Sequence, residues 1–233
     1  MTAREKLIVA LDVPTLDEMA AIVTAIGDTI ATYKVGHQLY IAAGPKAIAF
    51  LKERGKRVFL DLKLHEISNS VAAAVHAAGK LGIDMVTVHA SGGRKMMQAA
   101  VDAAAEFPGM QILALTVVTG LSAEDMAEIG FVAGAAEQAV RLARLAKASN
   151  CHGVIASPHE VKALRAAIGA ELRIVTPGVR PAGAAIGDQS RAGTPAQAIQ
   201  AGADAIIVGR PIVQAADPAF AVQQIVAEIA QAE

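Results

Sequence analysis

The chain carries, at residues 57–66, the stretch RVFLDLKLHE, in which an apolar run leads into ionisable side chains. Such a run is typical of a buried strand, and strand residues two apart point to the same face. We therefore expect Asp61 and Lys63 to project together where the strand ends. A lysine close to carboxylates keeps its proton, which makes Lys63 a candidate proton donor rather than a nucleophile. A surface ion pair is the alternative interpretation.

Apolar runs of this kind recur eight times, and Ala-rich segments with helical spacing lie between most of them. Eight strand–helix units in 233 residues favour an α/β fold, a closed (β/α)8 TIM barrel, over a doubly wound open sheet. No linker interrupts the alternation, so one domain over residues 1–233 is expected. The predicted strands cover residues 7–12, 31–36, 57–63, 85–90, 111–117, 153–157, 173–179 and 205–210; the predicted helices cover 15–27, 45–54, 68–81, 94–106, 134–149, 158–168, 195–201 and 215–233.

Composition argues against several classes of function. A net charge of −1 and the absence of a Lys/Arg cluster among aromatics leave no basic surface for nucleic acid. The single cysteine, Cys151, cannot form an intramolecular disulfide, and no Cys/His cluster has the spacing of metal ligands. No apolar run reaches the ~18 residues that cross a membrane, and the start at Met1 shows no signal-peptide pattern. We expect a cytoplasmic protein with no membrane or metal partner.

Polar residues collect at the predicted strand ends, where barrel enzymes place their chemistry. Asp12 ends the first run, Lys34 lies in the second, and Asp61 and Lys63 end the third. Each has a plain structural interpretation when taken alone; Asp12, for instance, precedes Val-Pro and can cap a turn. Together, two acids and two lysines from three consecutive strands would face one mouth of the barrel. Later strand ends carry His89, Thr116, Thr119 and Arg210.

A second set of residues predicts a phosphate site. Residues 176–189 read TPGVRPAGAAIGDQ, and residues 208–210 read VGR. A Gly-rich loop after strand seven and a Gly-Arg pair after strand eight lie where barrels commonly bind phosphate. The glycines allow backbone N–H groups to approach closely, and arginine offers paired donors to a dianion. We prefer this interpretation to a plain flexible loop.

These residues resemble the orotidine 5'-monophosphate decarboxylase family, over essentially the whole chain. The matching motifs follow the family's order: ALD at 10–12, KVG at 34–36, FLDLK at 59–63 with Glu66, VHA at 88–90, TVVT at 116–119, TPGVRP at 176–181, GDQ at 187–189 and VGRP at 208–211. The resemblance implies conversion of orotidine 5'-monophosphate to uridine 5'-monophosphate and carbon dioxide in pyrimidine nucleotide synthesis. It also implies a homodimer of barrels that uses no cofactor and no metal.

The resemblance further implies a role for each matching residue. Lys63 is similar to the family's proton donor to C6 of the pyrimidine, and Asp61 would lie beside the substrate carboxylate. Asp12 and Lys34 are similar to a ribose-contacting pair, with Lys34 extending the charge network. Glu66 corresponds to an acid that reaches the neighbouring subunit's site. The remaining substrate-binding positions are Thr119, Arg180, Gln189, Gly209 and Arg210, the last four at or near the phosphate.

The chain departs from the family pattern at three positions that bear on the site. Glu66 stands where aspartate is usual, and Gly120 stands where the family has a serine that contacts the pyrimidine. Ser70 stands for a usual threonine and keeps its hydroxyl, so we retain it as substrate-binding. A glutamate carries its carboxylate about one bond further from the backbone, which matters in a site held to roughly half an ångström. The departures bear on efficiency more than on reaction type.

Two alternatives remain open. Magnesium-dependent sugar-phosphate decarboxylases and aldolases of the same superfamily share an Asp-x-Lys-x-x-Asp strand, and their activity would be abolished by a chelator. A nucleotide-binding protein that lost catalysis through Glu66 and Gly120 would bind uridine monophosphate tightly without turnover.

Overall fold

Eight parallel strands close into a barrel, each paired with the next and the last paired with the first. The computed structural model describes residues 1–181 and 192–232. The closed strand order confirms the predicted (β/α)8 barrel and rules out the open doubly wound sheet. The strands are β1 (Leu7–Ala10), β2 (Thr32–Gly36), β3 (Arg57–Leu64), β4 (Met85–His89), β5 (Gln111–Leu115), β6 (Gly153–Ile155), β7 (Arg173–Thr176) and β8 (Ala205–Val208).

Helices lie between the strands, with bounds close to those predicted. The structure adds three short helices that the sequence analysis did not predict, at His37–Ala43, Ala123–Glu128 and Arg210–Val213. Within the described ranges, no helix is long and apolar enough to cross a membrane. The helices are α1 (Leu16–Ile26), α2 (His37–Ala43), α3 (Pro45–Glu53), α4 (Ser68–Lys80), α5 (Gly93–Ala104), α6 (Ala123–Glu128), α7 (Ala135–Ala148), α8 (Val161–Ile168), α9 (Pro195–Gln200), α10 (Arg210–Val213) and α11 (Pro218–Gln231).

Helix α1 shows how local sequence sets these bounds. At its start, the Thr15 hydroxyl accepts a hydrogen bond from the backbone N–H of Glu18 at 3.2 Å. At its end, Gly27 adopts φ 62°, a left-handed conformation that costs glycine little. The buried residues repeat at helical spacing and pack against the barrel. They are Met19, Ile22, Val23 and Ile26.

Strand alternation divides the barrel interior into an apolar part and a polar part. In β1, Leu7 and Val9 join the core beneath the helices, whereas Ile8 and Ala10 join the core inside the barrel. Over much of the interior the inward residues are apolar. Toward the carboxyl ends, polar side chains interrupt this lining on three neighbouring strands, β2, β3 and β4. At the amino end, Arg173 of β7 donates a hydrogen bond to Gln111 of β5. The apolar interior comprises Ile8, Ala10, Phe59, Met85, Leu113, Leu115, Ile155, Val175, Ala205 and Ile207.

Two aspartates tie neighbouring strands together at the amino end of the barrel. Asp204, directly before β8, accepts hydrogen bonds from the backbone N–H of Ile174 in β7 at 2.7 Å and from Arg165 Nη2 at 2.6 Å. Asp84, directly before β4, accepts in the same way from the N–H of Val58 in β3 at 2.7 Å. These carboxylates satisfy strand donors at the end of the barrel opposite to the predicted chemistry.

Replacing Asp204 by alanine should lower the free energy of unfolding by about 2–3 kcal/mol, because charged hydrogen bonds to Ile174 and Arg165 are lost together. Denaturant unfolding measures the loss. The control is Glu137→Ala, which breaks an exposed ion pair with Arg141 on α7 and should cost less than about 1 kcal/mol. Equal losses in the two variants would contradict a bridging role for Asp204.

Candidate active site

A cavity of about 630 Å³ opens at the carboxyl ends of the strands. It has the size of a small-molecule site and lies where barrel enzymes place their chemistry. Its walls combine the two sets of residues that the sequence singled out, the charged strand ends and the predicted phosphate site. From the strand ends they include Asp12, Lys34, Asp61, Lys63 and Thr119, and from the predicted phosphate site Arg180, Gly209 and Arg210.

The four charged residues form a row that alternates in sign. Lys34 Nζ lies 3.0 Å from Asp12 Oδ1 and 3.6 Å from Asp61 Oδ2. Lys63 Nζ lies 3.0 Å from Asp61 Oδ1. Asp12 follows β1, Lys34 lies in β2, and the other two lie in β3, so three strands build the row. Asp61 and Lys63 thus lie side by side at the strand end, in the arrangement that their spacing predicted.

Asp61 is the most enclosed acid of the row, with a side chain only 12% exposed. Burial by itself raises the pKa of a carboxyl group, because it penalises the charged form. Here the ammonium groups of Lys34 and Lys63, together with a hydrogen bond from Thr87, outweigh that burial and lower the pKa of Asp61 below its usual range. The site therefore holds a buried, ionised carboxylate between two cations.

Two residues that the sequence analysis did not single out complete this arrangement. The fully buried Thr87, in β4, donates its hydroxyl to Asp61 Oδ1 at 2.7 Å. Gly36 leaves room for the first ion pair, since a Cβ there would lie 2.8 Å from both Lys34 Nζ and Asp12 Oδ1. The spacing along the strands could have indicated both residues, because strand residues two apart face the same side. Gly36 follows Lys34 by two positions, and Thr87 precedes His89 by two.

The backbone around Lys63 departs from a regular strand. Between Leu60 and Leu64, β3 advances four residues while its partner β4 advances two, from Val86 to Val88. The extra residues form a bulge in which Lys63 adopts φ 51°, a conformation that costs a non-glycine residue about 1–3 kcal/mol. His37 Nε2 also lies 3.1 Å from the carbonyl oxygen of Leu62, to which it can donate.

Two polar strand ends serve other purposes. His89 stacks on His65, with ring centroids 5.0 Å apart, and its Nδ1 lies 3.0 Å from Ser91 Oγ. Burial, with smaller effects of His65 and Lys63, lowers the pKa of His89 and favours its neutral form. Thr116 is buried and donates to the carbonyl oxygen of Ile155 at 3.0 Å, joining β5 to β6. Neither residue lines the cavity.

The predicted phosphate residues come from the ends of β7 and β8. Arg180 follows β7, and its backbone N–H donates to the carbonyl oxygen of Gly193 at 2.9 Å. Arg210 begins α10 directly after Gly209, rather than ending a strand as predicted. Gln189 lies outside the described residues, as do Gly187 and Asp188.

Glu66 and Ser70 lie away from the cavity of their own chain. Both are exposed on the segment that leads from β3 into α4. Hydrogen bonds from Ser70 and from the backbone of Ile67 lower the pKa of Glu66 and keep it ionised. Glu66 lines a separate surface groove that also contains His65, Ser91 and Lys95, together with Ile67, which is 68% exposed. Within one chain Glu66 and Lys63 line different cavities.

Position 120 is open in this fold. Thr119 lines the cavity, whereas Gly120 is exposed, and a Cβ built on Gly120 would meet no atom within 4 Å. The missing serine side chain therefore reflects no steric restriction from the described residues.

Comparisons with known proteins agree on one family. The family model described as "Orotidine 5'-phosphate decarboxylase / HUMPS family" matches residues 5–225. A protein from Moorella thermoacetica named orotidine 5'-phosphate decarboxylase is 47% identical over 98% of this chain and 94% of its own length. One of the same name from Halorhodospira halophila is 48% identical over 97% of both chains.

Solved structures give the same result. The crystal structure of orotidine 5'-phosphate decarboxylase from Lactobacillus acidophilus superposes with a TM-score of 0.86 at 39% identity, covering 97% of this chain and 99% of that one. The family resemblance inferred from the motifs is thereby confirmed. Nearly the whole length of the protein, from the first strand to the last helix, is matched in each comparison. The chain therefore belongs to the orotidine 5'-phosphate decarboxylase / HUMPS family.

Proposed function

We propose that the protein is a carboxy-lyase that converts orotidine 5'-monophosphate to uridine 5'-monophosphate and carbon dioxide in pyrimidine biosynthesis. The observation that carries the proposal is the alternating row, in which Lys63 Nζ is held 3.0 Å from the buried Asp61 inside the strand-end cavity. Relatives at 46–48% identity bear the name of this enzyme.

Lys63 supplies the positive charge that this reaction requires. Loss of the carboxylate leaves a carbanion at C6 of the pyrimidine, with no neighbouring carbonyl or bound electron sink to spread the charge. An ammonium group already in place stabilises that charge as it develops and then delivers a proton to C6. The side chain of Lys63 is about one-third exposed, so it can reach a substrate in the cavity while Asp61 holds it.

Asp61 and Lys34 prepare Lys63 for this role. The ionised Asp61 keeps Lys63 protonated, and Lys34 compensates the charge of Asp61 from the other side. Asp61 would also face the departing carboxylate of the substrate, and Asp12 with Lys34 would contact the ribose. Thr119 would bind near the pyrimidine and ribose.

The phosphate would bind to Arg180, Gly209 and Arg210, with Gln189 from the segment outside the described residues. Arginine forks and the backbone N–H groups at the start of a short helix suit a dianion. Because the phosphate is remote from C6, its binding energy helps catalysis only by organising the reacting end of the substrate.

We also propose a cytoplasmic homodimer with shared active sites. Glu66 is exposed, does not line the cavity that contains Lys63 of its own chain, and precedes the exposed apolar side chain of Ile67. A second copy packed on this surface would bring Glu66, supported by Ser70, to the neighbouring Lys63. The apolar contact would bury Ile67 at the interface.

The position of Lys34 argues against the magnesium-dependent alternative. Its Nζ lies between the carboxylates of Asp12 and Asp61, where a divalent cation would have to bridge them. The ammonium group already supplies the positive charge of that position. Among the described residues, no group of three or more His, Cys, Asp and Glu side chains is placed to hold a metal ion.

Purified protein should consume orotidine 5'-monophosphate, followed by its ultraviolet absorbance, and a chelator should leave the rate unchanged. Lys63→Ala should lose turnover by several orders of magnitude, because it removes the proposed proton donor to C6, while still binding uridine monophosphate. Lys46→Ala, on the exposed surface of α3, is the control. Near-normal turnover in Lys63→Ala would refute its role, and tight product binding by a parent protein without turnover would identify a binding protein.

Arg210→Ala should lower kcat/KM by the equivalent of about 2–5 kcal/mol, because the phosphate dianion loses a charged donor. A substrate analogue without the phosphate should react slowly, and almost equally slowly, with the parent and the variant. Arg144→Ala, on the exposed face of α7, should change neither rate. An equal loss on both substrates would show that Arg210 does not bind the phosphate.

Lys63→Ala and Glu66→Ala, each inactive alone, should regain activity when mixed under conditions that allow subunit exchange. Random pairing makes about half the dimers mixed, and each mixed dimer has one site with both residues intact, so about a quarter of all sites should recover. An independent label verifies exchange. Persistent inactivity after verified exchange would reject the shared site and leave the role of Lys63 untouched.

A further inference from the structure

We propose that Thr87 is a positioning residue for the decarboxylation: its hydroxyl fixes the Asp61 carboxylate so that one oxygen faces Lys63 and the other faces Lys34. The inference rests on the proposed function, whose catalytic row it deepens. Thr87 itself acts through Asp61, because it does not line the cavity and is fully buried.

The direction of the hydrogen bond follows from chemistry. An ionised carboxylate can only accept, so the Thr87 hydroxyl must donate to Asp61 Oδ1, 2.7 Å away. The carbonyl oxygen of Leu60 lies further from the same hydroxyl, at 3.4 Å. The hydroxyl has one hydrogen, and the shorter contact to a charged acceptor is the stronger one. Thr87 therefore donates its single hydroxyl hydrogen to Asp61.

This bond restrains the carboxylate from a third strand, beside the 3.0 Å hydrogen bond that Lys63 donates to the same oxygen. The terminal torsion of an aspartate is broad, so the carboxylate can turn without leaving its well. The Lys34 contact, at 3.6 Å, is an ion pair outside hydrogen-bond distance, and Lys63 lies in the strained bulge of β3. Thr87 instead lies in the regular part of β4, whose ladder with β5 is continuous from Met85 to His89. The rigid neighbouring strand thus aligns the carboxylate.

Thr87→Val tests the proposal, because valine keeps the shape of threonine and removes only the hydroxyl. The variant should fold, bind uridine monophosphate within about twofold of the parent and lose about 10- to 100-fold in kcat, the effect of a small misplacement at the reacting end. Thr87→Ser should restore most of kcat. Thr87→Ala replaces the valine variant should the latter fail to fold, with the same expected loss.

The matched control is Thr32→Val, a buried threonine that faces the barrel interior from β2, two residues before Lys34. It removes a hydroxyl from the same barrel without touching Asp61, so kcat should stay near that of the parent. A parent-like kcat in Thr87→Val, or a failure of Thr87→Ser to rescue, would overturn the proposal while leaving the proposed function standing. An inactive parent protein would instead reject the proposed function.

The pH dependence gives a readout that general structural damage would not move. Asp61 is faced by Lys34 from β2 and Lys63 from β3, with Asp12 beyond Lys34 and His89 beyond Lys63. The Thr87 hydrogen bond helps to lower the pKa of Asp61. Asp61 acts when ionised, so activity is present above its pKa and is lost as the pH falls through it. Removing the hydroxyl raises that pKa, and the acidic limb of the kcat profile should move to higher pH in Thr87→Val and back in Thr87→Ser.

Discussion

The buried, ionised carboxylate of Asp61 is the constraint on which the arrangement of the site depends. An unpaired carboxylate at this depth would take up a proton, because burial penalises its charge. Lys34 and Lys63 prevent this from two sides, and Thr87 supplies a donor from a third. Each partner comes from a different position in the barrel wall, so the charge of one residue requires three adjacent strands to be in register.

That requirement explains why β2, β3 and β4 direct polar side chains into the carboxyl end of the barrel. On other strands, apolar side chains such as Leu113, Val175 and Ile207 fill the barrel beneath the cavity. Packed side chains exclude water from the floor of the site, and charge interactions are stronger where water is excluded. Position 36 is restricted to glycine by the same ion pairs, because the Lys34–Asp12 contact occupies the volume that a side chain there would need.

Much of the site was accessible from the sequence, and the reason is geometric. In a closed parallel barrel every strand ends at the same rim, so polar residues that end consecutive apolar runs must meet there. Asp12, Lys34, Asp61 and Lys63 meet as this rule requires. The rule failed for Thr116 and His89. Thr116 turns its hydroxyl to the neighbouring strand and His89 stacks on His65, and an end position in a strand does not specify either contact.

The sequence by itself determined the eight-fold alternation, the family and the charged residues, because apolar periodicity and motif order are properties of the chain alone. Only the tertiary structure decided the bulge at Lys63, the donor at Thr87, the space at Gly36 and the short helices around the rim. Each of these depends on which atoms of a neighbouring strand lie opposite a residue. It also decided that Glu66 lies outside the cavity that contains Lys63 of its own chain. Strand register and packing set such distances, and they are fixed only when the barrel closes.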